Sequence, residues 1–339
     1  MPPFRNRHGE PQQRAIVLKI FRVSQFNFVV RWLFAWIAAP LLIAIYVTPA
    51  VALDVHVVLS AETDVYRSIA NRIDSGVVQR RLGSVRVVDS ETFARTDRTK
   101  LPDVIVAVGL KATQSVANLH LDVPIISTLI PKSSFEEIAR RHKTRANPAP
   151  LSAVYLDQPI GRQLDLIRLA LPTKKRIGVV LGPESVVLLE QLQAESRRRG
   201  LELTAVRIDA ESALFPALES VLNQSDVLLS LPDPAVFSSS TIPSVLFATY
   251  RHSIPVVGFS PAYVRAGAVM AVYSTPEQLA DQVLEGLLPL AGSGRTLPPP
   301  RYPDDLTVTV NYRVARSLEL VIDKEDSLAA KLGARRAGP

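Results

Sequence analysis

One building unit occurs twice in this chain, about half a chain apart. Asp103-Val-Ile-Val-Ala-Val-Gly109 leads through a short helical stretch into Val123-Pro124-Ile125-Ile126-Ser127. Asp226-Val-Leu-Leu-Ser-Leu-Pro232 leads through a longer one into Ile254-Pro255-Val256-Val257-Gly258-Phe259-Ser260. Each is an apolar run, a crossover and a second apolar run, the pattern of parallel strands buried on both faces. The repetition predicts an α/β fold of two Rossmann-like lobes, each a parallel sheet flanked by helices. A cleft between two lobes is a place to hold a ligand.

The N-terminal segment follows different rules. Arg14, Lys19, Arg22 and Arg31 precede an uncharged apolar stretch, Trp32 to Val51, that ends in the small-x-small triplet Ala50-Val51-Ala52. This order predicts a signal peptide over residues 1–52 and a folded chain beginning at Leu53. The alternative is a retained membrane anchor over residues 32–52, because about twenty apolar residues can span a bilayer. Either way the body of the protein is expected outside the cytoplasm, in the periplasm.

Setting the leader aside changes the charge balance. Residues 1–52 hold six Lys or Arg and one acid, which leaves 33 bases against 31 acids and lowers the net charge from +7 to +2. A nearly neutral body has no basic footprint for nucleic acid. The chain contains no cysteine, which excludes disulfides, thiolate metal sites and a lipid-modified cysteine. The body is long enough to bury a large core without such staples, and a monomer is expected.

Along the body, Val55–Leu59, Val85–Val88, Val104–Val108 and Pro124–Ser127 read as strands of a first lobe at residues 53–150. Ser134-Phe-Glu-Glu137 matches a capping box and is expected to open a helix. A second lobe is expected over 151–295, beginning with the strand at Val154-Tyr155-Leu156 and continuing through Arg176–Leu181, Leu203–Ile208, Val227–Ser230 and Pro255–Phe259. Thr275-Pro276-Glu277-Gln278 combines a cap, a proline at the first helical position and a capping-box glutamine. Residues 296–322 read as a crossing strand and a C-terminal helix capped by Asn311, and 323–339 as a flexible tail. Pro148–Val154 and Gly292–Asp304 are the expected connections between lobes.

The order Arg176-Ile-Gly-Val-Val-Leu, Asp226-Val-Leu-Leu, Ile254-Pro-Val-Val-Gly, Ala266-Gly-Ala268, Leu306–Val310 and Asn311-Tyr-Arg-Val-Ala315 resembles the ABC-transporter substrate-binding protein family. Within it, the chain is similar to the branch that includes periplasmic aromatic amino-acid binders. The resemblance covers residues 54–322 and implies a periplasmic-binding-protein architecture with a small-molecule ligand, amino-acid-like or of another class, gripped between the lobes. It also implies an ABC permease or another membrane receptor as partner. Two ligand-side loops depart from the family pattern. Gly109 is followed by Leu110-Lys111 instead of a small hydroxyl residue, and Leu129-Ile130-Pro131-Lys132 stands where an acid–proline pair is usual.

In open parallel sheets the ligand lies beyond the carboxyl ends of the strands. Those tips supply Ser60, Glu62, Thr63, Lys111, Thr113, Ser127 and Thr128 from the first lobe. The second lobe supplies Glu184, Ser185, Asp233, Ser260 and Tyr263. Hydroxyls beside helix N-termini suit a ligand carboxylate. Asp233 can receive a ligand ammonium or simply hold a turn, Lys111 can pair with an anion or be solvated, and Tyr263 can stack on a flat ligand or close the core.

Enzyme chemistry finds no support. Gly258-Phe-Ser260-Pro-Ala262 mimics a nucleophile elbow, but Pro261 lacks the N–H an oxyanion hole would use there, and no histidine follows His252. His56, His120, His142 and His252 show no metal-ligand spacing, and no phosphate or dinucleotide glycine pattern occurs. No cofactor is expected. The sequence reads as a periplasmic solute-binding protein that delivers a small molecule to an ABC importer. Its alternative is a non-transport sensor or accessory protein of the same fold that contacts a membrane receptor.

Overall fold

The computed structural model describes residues 52–95, 100–144, 148–292 and 296–334. The expected leader and anchor lie outside the described residues, apart from Ala52. Among the described residues no helix is long and apolar enough to cross a membrane.

The chain first alternates strand and helix through β1 (Leu53–Leu59), α1 (Asp64–Gln79), β2 (Gly83–Asp89), α2 (Ser90–Arg95), β3 (Val104–Val108), α3 (Leu110–Asn118), β4 (Ile125–Ile130), α4 (Lys132–Lys143) and β5 (Leu151–Tyr155). The five strands form one sheet in the order β2-β1-β3-β4-β5, with every pairing parallel. β3 is buried at all five positions, as a parallel strand covered on both faces must be.

The second sheet follows through α5 (Ile160–Ala170), β6 (Arg176–Leu181), α6 (Leu189–Arg198), β7 (Glu202–Arg207), α7 (Leu214–Leu222), β8 (Val227–Leu229), α8 (Ile242–Arg251), β9 (Val256–Gly258), α9 (Pro261–Ala266) and β10 (Met270–Tyr273). After α10 (Pro276–Leu287), β11 (Thr307–Val310) completes the sheet, and α11 (Tyr312–Ser317) and α12 (Glu325–Ala334) close the chain. The order is β11-β10-β9-β8-β6-β7, parallel except for the antiparallel edge pair β10–β11. Two sheets of mostly parallel strands flanked by helices give the two-lobed α/β fold expected from the repeated unit.

The lobe boundaries differ from those expected. Leu151–Tyr155, assigned to the second lobe from sequence, pairs with β4 as the edge strand of the first sheet. The first crossing therefore lies at 156–159, later than Pro148–Val154. A second crossing at Ser274–Thr275 was not anticipated. It sends α10 back to the first lobe, where Leu279, Val283 and Leu287 pack with Ile69, Ile73 and Val77 of α1. The two helices approach closely at Gly76, where an added Cβ would lie 2.1 Å from Leu284 Cδ1. Arg72 also holds Asp281 through two hydrogen bonds of 2.7 and 2.9 Å. The third crossing runs from Tyr302 to Leu306, because Arg301 still bonds to the backbone of Ala153 and Tyr155 in the first lobe.

Local helix signals fared unequally. Thr275 and Gln278 form the anticipated capping box, and the Asn311 side chain accepts from Val314 N at 3.1 Å. Ser134 is not a cap. α4 starts at Lys132 after Pro131, and the Lys132 N–H is bound by Asp157 from the first crossing. The 323–339 segment is not wholly a tail either, since α12 places Leu328 and Leu332 in the core beneath α5.

One carboxylate anchors the start of the second sheet. Asp226 accepts from Lys175 N and Arg176 N at 3.0 Å each, and from the Arg176 guanidinium at 2.7 and 3.1 Å. Burial alone would raise its pKa, but these donors and the Arg176 charge outweigh burial and hold it at about 2. A depressed folded-state pKa stabilises above the unfolded value near 4 and loses that stability as pH falls through the folded value. Urea unfolding should show about 2 kcal/mol of stability lost between about pH 4 and pH 2 through this group. Asp226→Asn should remove that slope; an unchanged acid profile in the variant would contradict it.

Candidate functional site

The carboxyl ends of both sheets converge on a cavity of about 150 Å³ between the lobes. Pro131 reaches it from the end of β4, and Leu156, Asp157 and Gln158 from the first crossing. The second lobe adds Gln163 from α5, Pro232 after β8, Phe259 and Ser260 after β9, and Val272 from β10. Strand tips carry their side chains here because the backbone leaves the sheet at these points. The walls are mainly apolar, with a small number of polar groups, as in most small-molecule sites.

Beneath the cavity a buried polar network ties all three crossings together. Gln158 of the first crossing donates to Ser274 Oγ of the second at 2.9 Å. Ser274 Oγ in turn donates to the Asp305 carbonyl of the third. Arg162, from the first turn of α5, donates to Gln158 Oε1 and to the Pro303 carbonyl at 3.0 Å. Gln163 donates to the Gln158 carbonyl at 3.1 Å, while its Oε1 is buried without a hydrogen-bond partner. Buried polar groups require such partners, so the crossings hold one another in place.

Electrostatically the cavity is acidic. Burial pushes the Asp157 carboxyl above the usual carboxylate range, although the Lys132 N–H and charge oppose that rise. Burial also works against the Lys132 charge, but Tyr302 and Glu136 outweigh it and hold the ammonium above its usual range. Lys132 sits 5.3 Å from the Tyr302 ring centre, outside the cavity wall. Among the described residues no group of three or more His, Cys, Asp or Glu is placed to hold a metal.

A family model described as ABC transporter substrate binding protein matches residues 88–324, well over half of the chain. This chain belongs to that family. A search of curated proteins finds no match. Solved structures agree on the architecture. A conserved domain protein from Vibrio cholerae O1 biovar eltor covers 82% of this chain and 98% of its own, at 19% identity and a TM-score of 0.58. The ABC domain in complex with L-Trp from Streptococcus pneumonia covers 82% and 98%, at 17% identity and a TM-score of 0.55. A ligand-free, open substrate-binding protein with adhesive properties from Clostridium difficile covers 81% and 97%, at 18% identity and a TM-score of 0.68. At such identities the likeness establishes the fold. The family is a class of binding proteins, not of enzymes.

In this binding protein, most residues ranked from the strand tips prove to be engaged elsewhere. Ser60 Oγ donates to the Val108 carbonyl and accepts from Ala112 N, both at 2.8 Å. Thr113 Oγ1 donates to the Gly109 carbonyl at 2.8 Å. Glu62 pairs with Arg67 at 2.6 Å and Lys111 with Glu91 at 2.7 Å, all four exposed. Thr63 is exposed at the start of α1 and makes no side-chain cap. Ser127 and Thr128 are fully buried in β4, with hydroxyls that have no partner.

In the second lobe, Asp233 takes the turn-holding role. Its carboxylate accepts from Glu184 N at 3.0 Å, Ser185 N at 2.8 Å, Ser185 Oγ at 2.8 Å and Ala235 N at 3.0 Å. Ser185 is thereby engaged, and Glu184 points an exposed side chain outward. Tyr263 closes the core. Its hydroxyl donates to the Phe237 carbonyl at 2.8 Å, and burial raises its pKa to about 12. Ser260 alone among the ranked residues lines the cavity.

Asp157, Gln158, Gln163 and Phe259 were missed. The tip rule would have found Asp157 and Gln158 had Val154-Tyr155-Leu156 been read as the last strand of the first lobe. Phe259 stood beside Ser260 in the tip already singled out.

Proposed function

We propose that the chain captures a small solute between its lobes, outside the cytoplasm, and delivers it to an ABC importer without transforming it. The observation that carries this reading is the cavity of about 150 Å³ at the strand tips of both sheets, in a chain that belongs to a substrate-binding family. The Phe259 ring in its wall gives a surface for a flat or apolar ligand. Export rests on the basic, apolar and small-residue order of the first 52 residues.

Calorimetry of ligand-stripped protein against amino acids, sugars, polyols and small amines should reveal saturable one-to-one binding to at least one of them. Small-angle scattering with that ligand should show a smaller radius of gyration, because two lobes joined by crossings close around what they bind. Absence of binding across the whole panel would remove the capture role, and binding with an unchanged scattering profile would remove lobe closure.

A further inference from the structure

We infer that the ligand is a small, single-ring amine that carries no carboxylate. The inference rests on the reading of the cavity as the solute site and narrows its ligand class.

The polar groups that line the cavity are Asp157, Gln158, Gln163 and Ser260. Gln158 directs Nε2 to Ser274 and Oε1 to Arg162, and its backbone carbonyl accepts from Gln163. Gln163 uses its Nε2 on the Gln158 carbonyl, and its Oε1 is a buried acceptor without a partner, in a residue that is 4% exposed. Asp157 adds a carboxylate, one oxygen of which already accepts from Lys132 N. Ser260 can donate as well as accept, but Asp157 is the charged group of the lining, and its sign calls for a ligand with a positive charge and N–H donors. No Lys, Arg or His is among the residues that line the cavity. The hydroxyls that suited a ligand carboxylate, Ser60, Thr113 and Ser185, are bonded within the protein. A carboxylate desolvated beside Asp157 would find the Ser260 hydroxyl but no cation in the lining to offset the like charge.

Size and shape point the same way. Pro131, Leu156, Pro232, Phe259 and Val272 supply the apolar walls. About 150 Å³ is the size of an engineered cavity that admits benzene, so a single ring fits.

The test uses three ligands that share one ring and differ in charge: 2-phenylethylamine, phenylalanine and 3-phenylpropanoate. Calorimetry on the full-length protein should show saturable binding of the amine, with phenylalanine and the carboxylate each at least tenfold weaker. Asp157→Asn, checked for an intact melting transition, should weaken the amine at least tenfold. Binding of 3-phenylpropanoate or phenylalanine as tight as that of the amine overturns the inference, as does an amine affinity unchanged by Asp157→Asn. The ligand series on the unaltered protein decides the matter even if that variant does not fold. If the amine fails to bind while a sugar, polyol or amino acid binds, the ligand class is wrong and solute capture stands. If nothing binds, both fall.

Discussion

Asp233→Ala should destabilise the second lobe by about 3–5 kcal/mol in urea unfolding, more than any other single change at the strand tips. Bonds to an ionised acceptor contribute about 1.5–3 kcal/mol each, and a buried donor left alone costs about 1–3 kcal/mol. Asp233 is 3% exposed and is the acceptor for Glu184 N, Ser185 N, Ser185 Oγ and Ala235 N. The carboxylate also lies directly over Gly182, where an added Cβ would stand 2.3 Å from Asp233 Oδ1. Truncation would therefore release the loops after β6 and β8 together, and with them Pro232 in the cavity wall. Glu184→Ala should change stability by less than about 0.5 kcal/mol, because that side chain is exposed. A loss below about 1 kcal/mol for Asp233→Ala would show that water replaces the carboxylate.

Arg162→Met is the second large effect, at about 2–4 kcal/mol. The substitution keeps an unbranched side chain in α5 but removes the donors to Gln158 Oε1 and the Pro303 carbonyl. Both acceptors lie in a region where Arg162 itself is 6% and Gln158 6% exposed. The damage would extend beyond stability, since Gln158 also holds Ser274 and receives Gln163. Ligand affinity should fall along with the unfolding midpoint, and the radius of gyration of the free protein should increase as the crossings loosen. A variant that unfolds earlier yet binds with unaltered affinity would confine the network to a stabilising role.

How much of this was legible in the sequence depended on how local each signal was. Continuous apolar runs such as Val104–Val108 announced buried parallel strands, because no solvent-facing position interrupts them. Thr275 and Gln278 cap a helix with each other, so the pattern carries its own proof. Ser134 had the same pattern and failed, because the helix starts earlier at Lys132, whose N–H is bound by Asp157, 25 residues further along. The lobe boundary failed for a related reason. A run such as Leu151–Tyr155 states that it is a strand, not which sheet it joins.

The site was the least legible part. Strand tips narrow the choice to a dozen polar residues, yet nothing local says which hydroxyls are already bonded. Ser60 and Thr113 find partners in the Val108 and Gly109 backbone, and Asp233 finds three of its four donors 48 or 49 residues away. Asp157 and Gln163 stayed hidden because the first crossing was placed too early.

The course of α10 has a consequence for anyone who would take this molecule apart. The helix is encoded between two strands of the second sheet but completes the apolar interior of the first lobe. Neither lobe corresponds to an uninterrupted stretch of chain, so a truncation after β5 would strip Ile69, Ile73 and Val77 of their cover. A graft that exchanges recognition surfaces between relatives must therefore transplant 53–155 and 276–301 as a matched pair.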